Sequence, residues 1–248
     1  MGFVWKCCLF ILGVALILPV VLVAEDRPTV PGGVKDKPYI KRAGRGTFVG
    51  GYVDHELFWN EKKKTFDQHR FIPFIYGEVS DRIHVASEIE FEHGGLVKGD
   101  VEGDTDGEVK LEFATLDIQF SEALSYRGGV ILSPLGKFNL IHDSPLNDLS
   151  NRPLVARKII PTTLSEAGMG FYGTLYPTAD ALIGYEIYVV NGFNGKLLKA
   201  DTTAGIINTS IRSGRGSQKA DNNDSKSIVG RLNYSPFLGL DIGGSFHR

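Results

Sequence analysis

The chain has 248 residues, including 30 Gly, 15 Phe and 9 Tyr but only two Trp and two Met. Glycine at about 12% against a usual ~7%, with aromatic and β-branched residues, favours many short strands joined by turns. The formal net charge is −2, and −3 once Lys6, the single charge of residues 1–24, is set aside, so no basic field for nucleic acid exists.

Residues 1–24, MGFVWKCCLFILGVALILPVVLVA, carry one lysine and then an apolar run that ends at the charged pair Glu25 and Asp26. This is the pattern of a secretory signal peptide cleaved after Ala24, although Leu22 at the minus-three position fits the small-residue rule poorly. The alternative is an uncleaved anchor, since a run of about 18 apolar residues could just span a bilayer. Pro19, which interrupts the run, and the long body that follows favour the leader. Cys7 and Cys8 both lie in the leader and precede its apolar core, whereas a lipidated cysteine should follow it. An exported chain without further cysteine is held together by something other than disulfides, and a closed β ladder in lipid would suffice.

Residues 25–46 are rich in Pro, Gly and charge without periodicity, and read as a flexible periplasmic lead-in. From residue 47 to 248 the period is two, which predicts one all-β domain. Weaker strands are expected at 47–59 and 66–80. The clearest follows at 82–93, RIHVASEIEFEH, with Ile83, Val85, Ile89 and Phe91 on one face and Arg82, His84, Glu88, Glu90 and Glu92 on the other. Residues 109–120 alternate with a phase slip near Ala114, the mark of a bulge or of a change of depth. Further weak strands are expected at 123–132 and 168–177. Residues 181–190 set Ile183, Tyr185, Ile187 and Val189 against Glu186. In IVGRLNYS, Ile228, Leu232 and Tyr234 oppose Arg231 and Asn233; in FLGLDIGGSF, Leu238, Leu240, Ile242 and Phe246 oppose Gly239, Asp241 and Ser245.

About nine strands of roughly ten residues result, the length that crosses a bilayer when tilted. Tight connections near Ser80-Asp81, Glu122 and 177–180 alternate with long ones at 94–107, 133–166 and 191–226, as in a hairpin barrel with a periplasmic and an external face. A soluble sandwich alternates too, but its strands are shorter. Phe48, Phe58, Trp59, Phe66, Phe120, Tyr126, Tyr176, Tyr234 and Phe246 fall near strand ends, where aromatic girdles belong. No nucleotide-binding glycine pattern and no Cys/His metal spacing occurs, so no cofactor and no metal is expected. Glu92 and His93, as adjacent strand residues, point to opposite faces and make a poor ligand pair.

Glu88, Glu90 and Glu92 project from one strand face at intervals of roughly 6.5 to 7 Å. The string EIEFE resembles the E-I-D-x-E strand of the β-glucanase and laminarinase family of jelly-roll enzymes, which would make Glu88 the nucleophile and Glu92 the acid/base of a secreted glycoside hydrolase. Against it, Glu90 stands where that family has Asp, and Trp59 is the only tryptophan after the leader, where a sugar cleft is rich in them. The other reading makes these glutamates a solvated wall of an aqueous lumen, and the chain no enzyme.

The stretches DQHRFIPFIYGEVSDRIHVASEIEFEHGG, NRPLVARKIIPTTLSEAGMGFYG, NGFNG and GSQKADNNDSKSIVGRLNYSPFLGLDIGGSF resemble bacterial outer-membrane porins of the phosphate-selective-porin-like superfamily. The most specific piece is Arg152-Pro153, then Ile160-Pro161-Thr162 and Glu166-Ala167-Gly168. The resemblance implies an antiparallel transmembrane β-barrel in the Gram-negative cell outer membrane, passing small hydrophilic solutes or ions by passive diffusion. It admits a homo-oligomer, a trimer. It also implies a loop that folds into the lumen. Residues 133–166 are the candidate, with Lys137, His142, Asp143, Asp148, Arg152, Arg157, Lys158 and Glu166, and an external loop is the alternative. The expected pore lining is Arg82, His84, Glu88, Glu90, Glu92, Glu186, Arg231 and Asp241. Those glutamates depart from the Arg and Lys ladder of a phosphate channel, so anion selectivity does not carry over and weak cation preference is as well supported. The odd strand count and the ending Phe246-His247-Arg248 read as a barrel truncated at its C-terminal side. A structural or adhesive barrel without an open lumen is a third reading.

Overall fold

The computed structural model describes residues 46–95, 107–147, 149, 152–160, 162–194, 214–216, 218 and 221–248, with the side chains of Arg157 and Lys158 excluded. The expected leader, nearly all of the lead-in, Asp148, and most of the 94–107 and 191–226 connections lie outside the described residues. Nine strands run in sequence order: β1 Thr47–Trp59, β2 Lys64–Glu78, β3 Ile83–Glu92, β4 Glu108–Gln119, β5 Ser125–Leu132, β6 Ser165–Leu175, β7 Leu182–Val190, β8 Ser227–Phe237 and β9 Leu240–His247. They form one antiparallel sheet in which each strand pairs with the next. Every expected strand is present. Phe237, expected at the head of the last strand, instead closes β8, because the chain turns at Leu238-Gly239, where Gly239 takes φ +98.

All four connections at one end of the sheet are short: 79–82, 120–124, 176–181 and 238–239. Most are held by a polar side chain that accepts a backbone N–H. Ser80 Oγ takes the N–H of Ile83 at 3.1 Å, Ser121 Oγ that of Leu124 at 3.1 Å, and Thr178 Oγ1 that of Ala181 at 3.1 Å. Such local bonds make Ser and Thr good turn residues and explain why these tight turns were legible. The long connections share the opposite end with the short turn 60–63, where Asn60 Oδ1 accepts from Lys62 and Lys63 at 2.8 Å.

The expected phase slip is a bulge on β4. Glu88 pairs with Phe113 and Ile89 with Leu111, so Glu112 is the extra residue. Two glycines mark close backbone approach. Gly129 has φ +131 and a Cβ there would lie 2.1 Å from the Ala114 carbonyl oxygen; Gly51 has φ +141 and would meet the Ile72 oxygen at 2.0 Å. Gly129→Ala is therefore expected to destabilise the fold by about 2 kcal/mol or more, read by urea unfolding.

The two faces of the sheet are opposite in character. Val85 on β3 is 38% exposed, while Glu88 on the same strand is 0% and Glu90 6% exposed. The open face carries Val49, Val53, Phe71, Ile75, Leu116, Met169, Phe171, Ile187, Val189, Ile228, Leu232 and Ile242, all exposed. The buried face carries His84, Glu88, Glu90, Asp117, Arg127, Glu166, Glu186, Arg231 and Asn233 among a smaller apolar set. That set includes Ile72, Phe74, Tyr76, Ala86, Phe113 and Leu132, onto which Leu140 packs. Aromatics mark both ends of the open face: Trp59, Phe66 and Phe246 at one, Phe120, Tyr176 and Phe237 at the other, all exposed. Phe48 differs from expectation, since it packs on Tyr76 at 6.1 Å between ring centroids and lies with the buried set.

The sheet curls around its buried face. Gly136 N–H donates to Ser245 Oγ on β9 at 2.8 Å, while Ser144 Oγ donates to Asp54 on β1 at 2.8 Å. In a flat sheet β1 and β9 would be about 38 Å apart, eight intervals of ~4.8 Å, whereas eight residues that include a turn of helix reach only about 20 Å. The outer edges, β1 and β9, are not paired with each other, so the described sheet is open.

Candidate functional site

The described residues between 133 and 164 lie on the concave face. They contain two short helices, α1 Lys137–Leu140 and α2 Leu154–Lys158, and a 3-10 turn at Ser144–Leu146. Asn139, fully buried, clasps the two ends of the segment: its Nδ2 donates to the carbonyls of Ser133 (2.8 Å) and Leu164 (3.0 Å), and its Oδ1 accepts the Leu164 N–H (2.9 Å). The bulge residue Glu112 is the segment's anchor on the wall. Its Oε2 meets His142 Nε2 at 2.7 Å and its Oε1 accepts from Thr163 Oγ1 at 2.9 Å. His142 Nδ1 faces the Asn139 carbonyl at 2.9 Å. Both ring nitrogens of this buried imidazole therefore face an oxygen acceptor. Both side chains are 1% exposed.

Deeper along the wall, charges pair across neighbouring strands. Arg127 on β5 makes a two-pronged contact with Asp117 on β4, 2.8 Å from Nε and 2.7 Å from Nη2. Tyr172 on β6 donates to the same carboxylate at 3.1 Å, and the guanidinium lies 4.5 Å over the Tyr172 ring. Glu186 on β7 accepts from Tyr188 at 2.8 Å and stands in register with Arg231 on β8. On β2, Arg70 meets Glu92 and Glu90 at 3.0 Å each. Two-pronged contacts of this kind are the strongest hydrogen bonds available to a buried charge.

The sequence-expected lining divides accordingly. His84 accepts or donates to Tyr76 Oη at 2.9 Å, and Glu88, Glu90, Glu186 and Arg231 are buried on the concave face. Glu92 sits there half-buried, paired to Arg70. Asp241 faces the same side on the edge strand β9 but is exposed, next to Asn233 at 3.5 Å and Ser235 at 3.4 Å. Arg82 is corrected: it lies exposed in the tight turn before β3, because Ser80 draws the turn closed one residue further than the alternation suggested. Glu166 is corrected as well, since β6 begins at Ser165 and makes it a wall residue, hydrogen-bonded to Ser133 and 3.0 Å from His247 Nε2. Lys137 is exposed at the start of α1. Arg152 is half-buried and donates to the Thr162 carbonyl at 3.3 Å; burial, with Arg70 nearby, draws its guanidinium below the ordinary range. Arg157 and Lys158 fall in α2, and their side chains are outside the described residues.

Arg70, Glu112, Asp117 and Arg127 were not singled out from sequence. A signal existed for Arg70, which shares strand parity with Ile72, Phe74 and Tyr76 and so belongs to their face.

These features define a class, a nine-stranded antiparallel meander with an oily outer face and a charged, loop-filled inner one. No family model matches the chain, and no solved structure matches it. It is similar to a protein of Aquifex aeolicus (strain VF5) described only as uncharacterized, with 33% identity over 206 residues covering 81% of this chain. The chain spans 44% of that relative's length. No helix among the described residues is long and apolar enough to cross a membrane, which does not bear on strands.

Proposed function

We propose that the chain forms the wall of an outer-membrane β-barrel pore for passive diffusion of small hydrophilic solutes or ions, delivered by the leader at 1–24. One observation carries the reading: apolar side chains are exposed on the convex face while ionisable ones are buried on the concave face. Water-soluble sheets arrange these the other way, whereas strands in a bilayer put apolar residues toward lipid and polar ones toward the lumen. Strand lengths of 9 to 13 residues in six of the nine strands suit a tilted crossing. The exposed aromatics at both ends of the open face fit interfacial girdles, and the short-turn end fits a periplasmic face.

The segment 133–164 serves as the constriction, because it is anchored inside the curl by Glu112 and Asn139. β1 and β9 run in the same direction, so they cannot close on each other as an antiparallel pair. Around the lumen Arg70, Lys110, Arg127, Arg152 and Arg231 face a larger set of carboxylates, Glu88, Glu90, Glu92, Glu112, Asp117, Glu166 and Glu186, which favours weak cation preference.

The full chain, folded in detergent and added to planar bilayers, is expected to give stepwise conductance with a reversal potential on the cation side of zero in a KCl gradient. A folded, inserted sample without steps would overturn the pore and leave a structural barrel.

A further inference from the structure

Near the long-loop end, Asp54 and Glu56 on β1 and His69 on β2 bring one ligand atom each within 4.8 Å of one another. A register irregularity makes this meeting. Asp54 pairs with Arg70 and Glu56 with Asp67, leaving His55, Gln68 and His69 without ladder partners. In a regular ladder His69 would face away from its neighbour Arg70, and therefore away from Asp54; the irregularity turns it inward.

The distances then separate this histidine from His93 and His142, while His247 lies 3.0 and 3.2 Å from the two oxygens of a single carboxylate, Glu166. His69 Nδ1 lies 3.2 Å from Asp54 Oδ2 and 3.4 Å from Glu56 Oε1. Charge-assisted N–H···O bonds run about 2.7 to 2.9 Å. His93 with Asp67 (2.8 Å) and His142 with Glu112 (2.7 Å) obey that rule in the same molecule. A tetrahedral zinc with bonds of about 2.0 to 2.1 Å separates its ligand atoms by about 3.3 to 3.4 Å, the spacing seen around His69.

The surroundings suit an ion. Ser144 Oγ donates to Asp54 Oδ2 at 2.8 Å, the kind of outer hydrogen bond that orients a ligating carboxylate. Arg70, the nearest cation in register, is engaged by Glu90 and Glu92. The three side chains are 12 to 24% exposed, sheltered yet open to solvent for entry and for a water as remaining ligand. We propose that Asp54, Glu56 and His69 bind a first-row divalent transition metal of the Zn2+ type, with His93, stacked on His69 at 5.8 Å, as a neighbour outside the ligand set. The site stands apart from the pore reading and holds whether or not the chain conducts.

The test titrates the full chain in detergent with Zn2+ by calorimetry, and with Co2+ by visible absorption, where tetrahedral coordination gives intense bands. One Zn2+ per chain is expected. His69→Ala and Asp54→Asn should each weaken binding at least about tenfold and remove the Co2+ bands, while His93→Gln leaves both unchanged. Glu56→Gln, isosteric, replaces either variant whose circular dichroism differs from the parent. No saturable binding, or binding that survives these ligand changes or follows His93, overturns the site.

Discussion

Ile187→Arg is expected to destabilise the inserted fold by about 2 to 4 kcal/mol, a 30-fold to nearly 1,000-fold shift in the folding equilibrium. Ile187 lies mid-strand on β7, is 46% exposed, and pairs with Phe171 on β6, which is also exposed. The position discriminates because the two environments predict different results. On a water-facing sheet, replacing an exposed isoleucine by arginine changes stability by no more than about 0.5 kcal/mol. At the depth of the hydrocarbon, the guanidinium must be dragged out of water or deform the bilayer around it. Urea titration in vesicles reads the difference. A control at the interface, Tyr176→Arg, should be milder, because the penalty falls toward zero near the headgroups. If Ile187→Arg unfolds at the parent's urea midpoint, the convex face does not touch lipid tails.

The second large effect is predicted at the anchor of the inner segment. His142→Ala removes the closest partner from a pair in which both side chains are 1% exposed, and leaves Glu112 buried with Thr163 at 2.9 Å and Lys110 at 3.9 Å. Removing one partner of a buried pair typically costs about 3 to 5 kcal/mol, and Lys110, 3.9 Å from Glu112, offsets part of that loss. Glu112 is tied to its place by the bulge on β4, whereas residues 133–164 can leave the wall and let water reach it. The expected result is therefore a released segment, seen as higher single-channel conductance and as new protease cleavage between residues 133 and 164. The double variant Glu112→Gln/His142→Gln, with no charge left buried, should restore much of the docking. Parent conductance and cleavage in His142→Ala would show that Asn139 and the Leu140 contacts hold the segment by themselves.

Much of the sheet was legible because strand alternation is local. In RIHVASEIEFEH, each side chain's face follows from its neighbours two residues away, and the observed burial of Glu88 and Glu90 opposite exposed Val85 repeats that pattern. Turns at Ser80, Ser121 and Thr178 were legible for the same reason, since each closes on a backbone N–H three residues on. The failures sit where a local cue met a longer-range one. Arg82 had the right parity but fell into a turn, and Phe48 had the right position for a girdle but the parity of the inner face.

The candidate sites were less legible. The sequence showed carboxylates on one face of β3 and a long polar segment after β5, without showing that they share a space. Glu112 and His142 are 30 residues apart, and Asp54 and Ser144 are 90 apart. His69 could not be placed with Asp54 from its spacing, because only the slipped register of β1 against β2 turns it inward.

The sequence by itself determined a period of two, an oily and a charged face, and the turns, since each depends on residues within a few positions of one another. The tertiary structure alone decided which buried charge meets which, where residues 133–164 come to rest, and how the sheet curls around them. Those outcomes depend on chain segments tens of residues apart arriving at one place, and no local pattern encodes that meeting.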